Sequence, residues 1–268
     1  MAIAFSLAMT WLVLGGLDAG SRQEATVSNS EAARLIEKLG TSDEERVSAR
    51  HALAAMGREA IPALIEACRA SQKRLDILGR DTADDDIDEW DTEAARQADI
   101  ASILSVIGEP AIPVLSALIQ EEDSCRRTWL MALDSIARES VSLRSEPPPP
   151  GLSHAVPQVI AALDDPDRMV RWAAVRALAA FPVEGTQAAV PGLIRVLTDE
   201  GVESEGLRRD AADALGRMGE LATPAEPALE RARSGPERLL AAAAEEALRK
   251  IRAAARSKAP GIKGTPCP

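Results

Sequence analysis

The segment "AIPALIEA" at residues 60–67 returns as "AIPVLSAL" at 111–118, "AVPQVIAA" at 155–162 and "AVPGLIRV" at 189–196. Inside an α-helix a proline removes a hydrogen bond and clashes with the preceding turn, at a cost of about 3 kcal/mol. In the first turn it costs little, because the first four N–H groups have no intrahelical partner and the fixed φ suits a helix. Pro62, Pro113, Pro157 and Pro191 are therefore expected to mark helix starts, and Pro227 in "TPAEPALERA" marks a fifth. The steps between them are 51, 44, 34 and 36 residues, the longer ones holding inserts.

A second apolar segment travels with each proline. "VSARHALAAMG" (47–57), "QADIASILSVIG" (97–108), "TWLMALDSIA" (128–137), "RWAAVRALAAF" (171–181) and "RRDAADALGRMG" (208–219) align on a shared Ala-Leu or Ile-Leu pair. In the fourth copy Val170, Ala173, Ala174, Ala177, Leu178 and Phe181 recur at one-face helical spacing. The unit is a helix hairpin, repeated about six times between residues 30 and 255. One hairpin cannot bury its apolar face alone, whereas stacked copies share a continuous core. With two Phe, no Tyr and an apolar share carried by Ala, Leu, Ile and Val, the chain is expected to be an all-α solenoid. Ser42-x-x-Glu45 and Ser234-x-x-Glu237 read as capping boxes, and Asp165-Pro166 as a helix cap with its proline.

The stretch "LDDPDRMVRWAAVRALAAF" (163–181) resembles the HEAT-like repeat of the phycobilin-lyase type, found also in exported bacterial scaffold proteins. Asp165, Val170, Arg171, Ala173, Ala174, Ala177 and Leu178 carry the likeness, which extends over most of 30–255. In that family the arginine pairs with turn acids of a neighbouring repeat. The resemblance thus implies a structural role for Arg171 and the aligned Arg46, Arg126 and Arg208. Gln97 stands at that position in the second copy, and the last copy is almost all Ala.

The expected layout is a signal peptide or N-terminal anchor at 1–20, a linker at 21–29, the solenoid at 30–256 and a disordered tail at 257–268. The uncharged run "AIAFSLAMTWLVLGGL" at 2–17 is short for a membrane span and suits a secretory h-region, so export to the periplasm or exterior is expected. Inserts are expected at 71–91, which is acidic, and at 138–154, where four consecutive prolines impose an extended spacer. No later run is long and apolar enough to cross a bilayer. Cys68, Cys125 and Cys267 lack metal or disulfide spacing, and Cys68 and Cys125 read as small core residues.

The net charge of −11 argues against nucleic acid as a partner. His51 and His154 stand on exposed positions with no catalytic companion, and neither is followed by the Glu that metal-dependent HEAT-like hydroxylases carry. Asp84, Asp86 and Asp88 have the spacing of the first EF-hand ligands, but Glu89 replaces the turn glycine and Ala95 the closing Glu. No cofactor is indicated. The expected function is a non-catalytic protein- or peptide-binding scaffold using the concave face lined by the second helices. The alternatives are a lyase-type enzyme subunit or chaperone-lyase, and a calcium-responsive envelope or adhesion module. On the exposed stripe of those helices Arg127, Met131, Arg168, Trp172, Arg176 and Arg209 are the candidate partner contacts. Arg168, Trp172 and Arg176 would form a basic patch suited to an acidic peptide, unless Trp172 folds over the seam between repeats. Trp129 aligns with Ala174 and is expected in the core, and Trp90 is expected to pack back on the solenoid.

Overall fold

The computed structural model describes residues 29–40, 43–78, 87–121, 123–142, 149, 151–181, 185–199 and 204–258. The apolar run at 2–17, Ser42, the EF-hand-like Asp84 and Asp86, Cys267 and the last ten residues lie outside them. Among the described residues there is no strand. The chain divides into two compact units, Met1–Ile107 and Gly108–Pro268.

In the first unit the helices are α1 (29–37), α2 (Asp43–Met56), α3 (Ile61–Leu78) and α4 (Ile87–Ile107). The second unit holds α5 (Ile112–Gln120), α6 (Arg126–Ser142), α7 (Gly151–Ala161) and α8 (Arg168–Ala180), followed by α9 (Val190–Thr198), α10 (Glu205–Met218), α11 (Glu226–Arg233) and α12 (Arg238–Lys258). Paired in order they make six hairpins among the described residues, the all-α solenoid that the repeats predict. In the second unit the first helices pack in sequence, α5 on α7 and α9 on α11. The second helices form another layer, α6 on α8, α8 on α10 and α10 on α12.

The apolar stripes account for these layers. Val170, Ala173, Ala174, Ala177, Leu178 and Phe181 are all buried, as are Ala211, Ala212 and Leu215 on the next helix. Small side chains there let the second helices come close. At Gly216 an added Cβ would stand 2.9 Å from the Cα of Ala247, so α10 and α12 meet backbone to backbone. Trp129 is fully buried, as its alignment predicts, and so are Cys68 and Cys125.

Three junctions between hairpins share one device. A glycine with positive φ ends the second helix at Gly57, Gly108 and Gly219, and a 3-10 turn then leads into the proline helix. At Gly108 and Gly219 the φ values of 73° and 57° lie where a Cβ is penalised. Pro113, Pro191 and Pro227 then occupy the first helical turn, and Pro62 is the second residue of α3, as expected.

Pro157 differs. It lies inside α7, which begins six residues earlier at Gly151. Leu152, Ala155, Val156 and Val159 continue one buried stripe through the proline, and that burial outweighs one missing hydrogen bond. Gly151 permits the approach, since a Cβ there would lie 3.3 Å from the Ile112 side chain. The two inserts are also more helical than expected. Residues 71–78 and 87–91 continue α3 and α4, while 138–142 and 151–154 belong to α6 and α7. His154 therefore stands on a helix, exposed.

Two caps also differ. Asp167, not Asp165, caps α8, its side chain accepting from the Met169 N–H at 2.8 Å. Ser234 ends α11 instead of opening α12, its hydroxyl donating to the Glu230 carbonyl. Ser204 is the cap of α10 and accepts from the Leu207 N–H. The Asp165 carboxylate, 3% exposed, pairs instead with Arg126 of the preceding repeat at 2.9 Å. Arg208 reaches Glu237 in the turn before α12 in the same way. These two arginines tie each repeat to the next one's turn, as the resemblance implies. Arg46 instead grips Asp99 on helix α4, and Arg171 donates to the carbonyls of Asp165 and Pro166 in its own turn.

Candidate partner-binding face

The second-helix layer of the second unit leaves one side to solvent, and a polar network runs along it. Arg138 and Arg176 share the buried carboxylate of Asp134, at 2.7 Å and 3.0 Å. Arg176 thereby links α8 to α6. Its guanidinium carbon lies 4.8 Å from the centroid of the Trp172 ring, a cation–π contact. On the other side the Trp172 indole N–H donates to Asp210 of α10 at 3.2 Å, and Arg209 donates to the same carboxylate at 3.1 Å. Half-buried Trp172 is therefore a tie across three repeats.

This arrangement corrects the expected basic patch. Arg176 and Arg209 are engaged by Asp134 and Asp210, and Trp172 lies over the seam. Arg127 and Arg168, at the starts of α6 and α8, are exposed and have no carboxylate partner among the described residues. Met131 is partly covered, one turn along α6 from Arg127. Next to the network, burial and then the neighbouring Asp210 carboxylate raise the pKa of Asp213 above the usual aspartate value, against the pull of Lys250 and Arg209.

The first unit carries a slot of different character. Val47, Arg50, His51 and Ala54 of α2 face Ser102, Ile103 and Val106 of α4 around about 190 Å³. Val47 and Val106 are exposed, and Arg50 is turned aside to Asp99 and Ser102. A wider groove of about 390 Å³ lies at the ends of α5 and α7, bounded by Arg126, Gln158, Asp164 and Asp165. No group of three or more metal-ligating side chains occurs among the described residues, and no single helix there is long and apolar enough to cross a membrane. His51 borders the slot, and no carboxylate or thiol is among the residues that line it.

Residues 156–249 match the profile of the family described as HEAT repeats. The matched segment, about a third of the chain, covers α8 to α11 and most of α7 and α12, and so contains Arg168, Trp172, Arg176 and Arg209. No curated protein sequence matches the chain significantly. Among solved structures, an engineered protein is 20% identical at a TM-score of 0.50, covering 83% of this chain and 97% of its own. A designed armadillo repeat protein in complex with the peptide (KR)4 is 23% identical at a TM-score of 0.50, over 82% of this chain and 98% of its own. Kap121p is 17% identical at a TM-score of 0.55, with 87% of this chain aligned to 26% of that one. At these identities the likeness shows a HEAT/armadillo-type fold.

Asp134 and Asp210, which decide what this face offers, escape a reading of single helices. A signal for them exists in the repeat register. Asp134 falls where other copies have Ala54 and Gly216, and Asp210 falls at the position of Ala173. An acid at a position held elsewhere by a small residue marks a carboxylate facing the neighbouring helix.

Proposed function

We propose that this chain is a protein- or peptide-binding scaffold, acting through the solvent-facing side of its second-helix layer in Gly108–Pro268. The observation that carries this reading is the pair Arg127 and Arg168, exposed and without a carboxylate partner among the described residues, on the same layer as the half-buried Trp172–Arg176 stack. The partner meets guanidinium groups at the starts of α6 and α8, with Met131 and the open edge of the stack supplying apolar area, and Arg209 lies at the far end. An acidic segment complements these two arginines. The fold supports the scaffold role: the designed armadillo repeat protein holds a peptide, and Kap121p has been seen bound to RanGTP. Rim charges chiefly set encounter rate and specificity. The test is binding of a labelled Glu/Leu peptide to the full chain and to Arg127→Glu/Arg168→Glu. The double reversal should weaken binding at least tenfold at unchanged melting temperature, and equal affinity in the two proteins would refute the assignment.

A further inference from the structure

The hairpin of α3 and α4 is longer than stacking requires. The proline helices α5 and α9 have 9 residues each and α11 has 8, whereas α3 has 18. Nine additional residues extend the helix by about 13 Å. Helix α4 matches it with 21 residues, against 13 in α8, 14 in α10 and 17 in α6, and the last helix, α12, has the same length. In the repeat register, residues 70–78 and 87–93 are the added part. They form a built arm with its own internal ties. The Ser71 hydroxyl donates to the Glu93 carbonyl at 3.1 Å, Gln97 donates to Gln72 at 2.9 Å, and the Glu93 carboxylate, 4% exposed, is held by Arg74 at 2.7 Å and Arg96 at 2.9 Å.

Beyond that clamp the arm offers apolar surface. Ile77 is 61% exposed and Trp90, expected to pack back on the solenoid, is 45% exposed. The antiparallel register fixed by Arg74 and Glu93 puts Ile77 and Trp90 at the same level, three residues beyond the clamp on each helix of the hairpin. Contiguous exposed apolar surface marks interaction sites, and tryptophan is enriched at binding hot spots. Among the described side chains of the arm, three acids, Asp76, Glu89 and Asp91, and one base outside the clamp, Lys73, are exposed. Glu89 and Asp91 flank Trp90 and Asp76 precedes Ile77.

We infer that the described outer part of the α3–α4 arm, through Ile77 and Trp90 with the neighbouring exposed acids Asp76, Glu89 and Asp91, docks a lysine- or arginine-rich protein segment that carries an apolar side chain. The apolar residue covers Trp90 and Ile77, and the partner's cations meet the carboxylates around them. This surface lies in the first unit and does not depend on the reading given for the second.

The experiment uses the full chain and three labelled peptides of equal length: alternating Lys/Leu, alternating Lys/Ser and alternating Glu/Leu. The Lys/Leu peptide should bind at least tenfold more tightly than either other peptide at the arm. Ile77→Ser/Trp90→Ala should remove that advantage, at unchanged helicity and melting temperature, while Arg127→Glu/Arg168→Glu retains it. Equal binding of Lys/Leu and Lys/Ser would reduce the effect to general attraction by an acidic chain and overturn the inference. So would undiminished Lys/Leu binding by the double variant, or no Lys/Leu binding by the parent protein. A marked fall in melting temperature of the double variant would also overturn it, by showing that the two side chains are packed internally.

Discussion

Replacing Trp172 separates a tie between repeats from a free contact residue. The ring is half-buried, so about 100 Å² of the 150–250 Å² a tryptophan buries is at stake, worth about 2.5 kcal/mol at 25 cal/mol per Å². The Arg176 stack adds about 0.5 kcal/mol at a partly exposed site, and the N–H to Asp210 about 1 kcal/mol. Solvent refilling the vacated space and incomplete additivity reduce the sum, so Trp172→Ala should destabilise the second unit by about 3 kcal/mol. For a unit of this size that is a fall in melting temperature of about 6–12 °C. Trp172→Phe keeps the apolar contact and the face beneath Arg176 but loses the donor, and should cost about 1 kcal/mol. Urea denaturation of Trp172→Phe, Asp210→Asn and the double variant then gives a coupling energy near 1 kcal/mol. Melting of Trp172→Ala within 2 °C of the parent, with no coupling to Asp210, would falsify the tie and make Trp172 a freely accessible contact residue again.

Gly216→Ala should destabilise by about 1–3 kcal/mol in spite of its higher helix propensity, because the new Cβ meets the Ala247 Cα at 2.9 Å, whereas Gly206→Ala in the same helix meets only the Ser204 hydroxyl at 3.9 Å and should be neutral or stabilising. Equal effects of the two substitutions in thermal melts would contradict the close approach of α10 and α12. At Glu93 burial opposes ionisation, but the Arg74 hydrogen bond and the nearby Arg96 outweigh it and hold the pKa below the usual glutamate value. A depressed carboxylate contributes stability above its ordinary pKa and loses it as pH falls through the folded value. Glu93→Gln should therefore be about 2 kcal/mol less stable at pH 7, after allowance for the exposure of Arg74, and the gap should close below about pH 4. A gap unchanged from pH 7 to pH 3 in urea midpoints would argue against the clamp.

The sequence alone determined the repeat, because a helix-starting proline and a 3.6-residue apolar stripe are local constraints that each hairpin states for itself. Pro62, Pro113, Pro191 and Pro227 stand in first turns, and the buried set from Val170 to Phe181 is the one its spacing implies. Arg126 and Arg208 were legible through the family resemblance, since their partners sit in the next repeat's turn at a fixed offset. What only the tertiary structure decided was charge and exposure on the faces. Trp172, Arg176 and Arg209 read as a basic patch on the helices that carry them. Asp134, 42 residues before Arg176, and Asp210, 38 residues after Trp172, turn that patch into an internal tie. Helix periodicity tells which way a side chain points, and only the stacking of one repeat on another tells what it meets there. The same holds for Pro157, where a stripe buried against α5 carries a helix through its proline, and for α3 and α4, where the buried Glu93 between Arg74 and Arg96 makes an arm out of an expected loop.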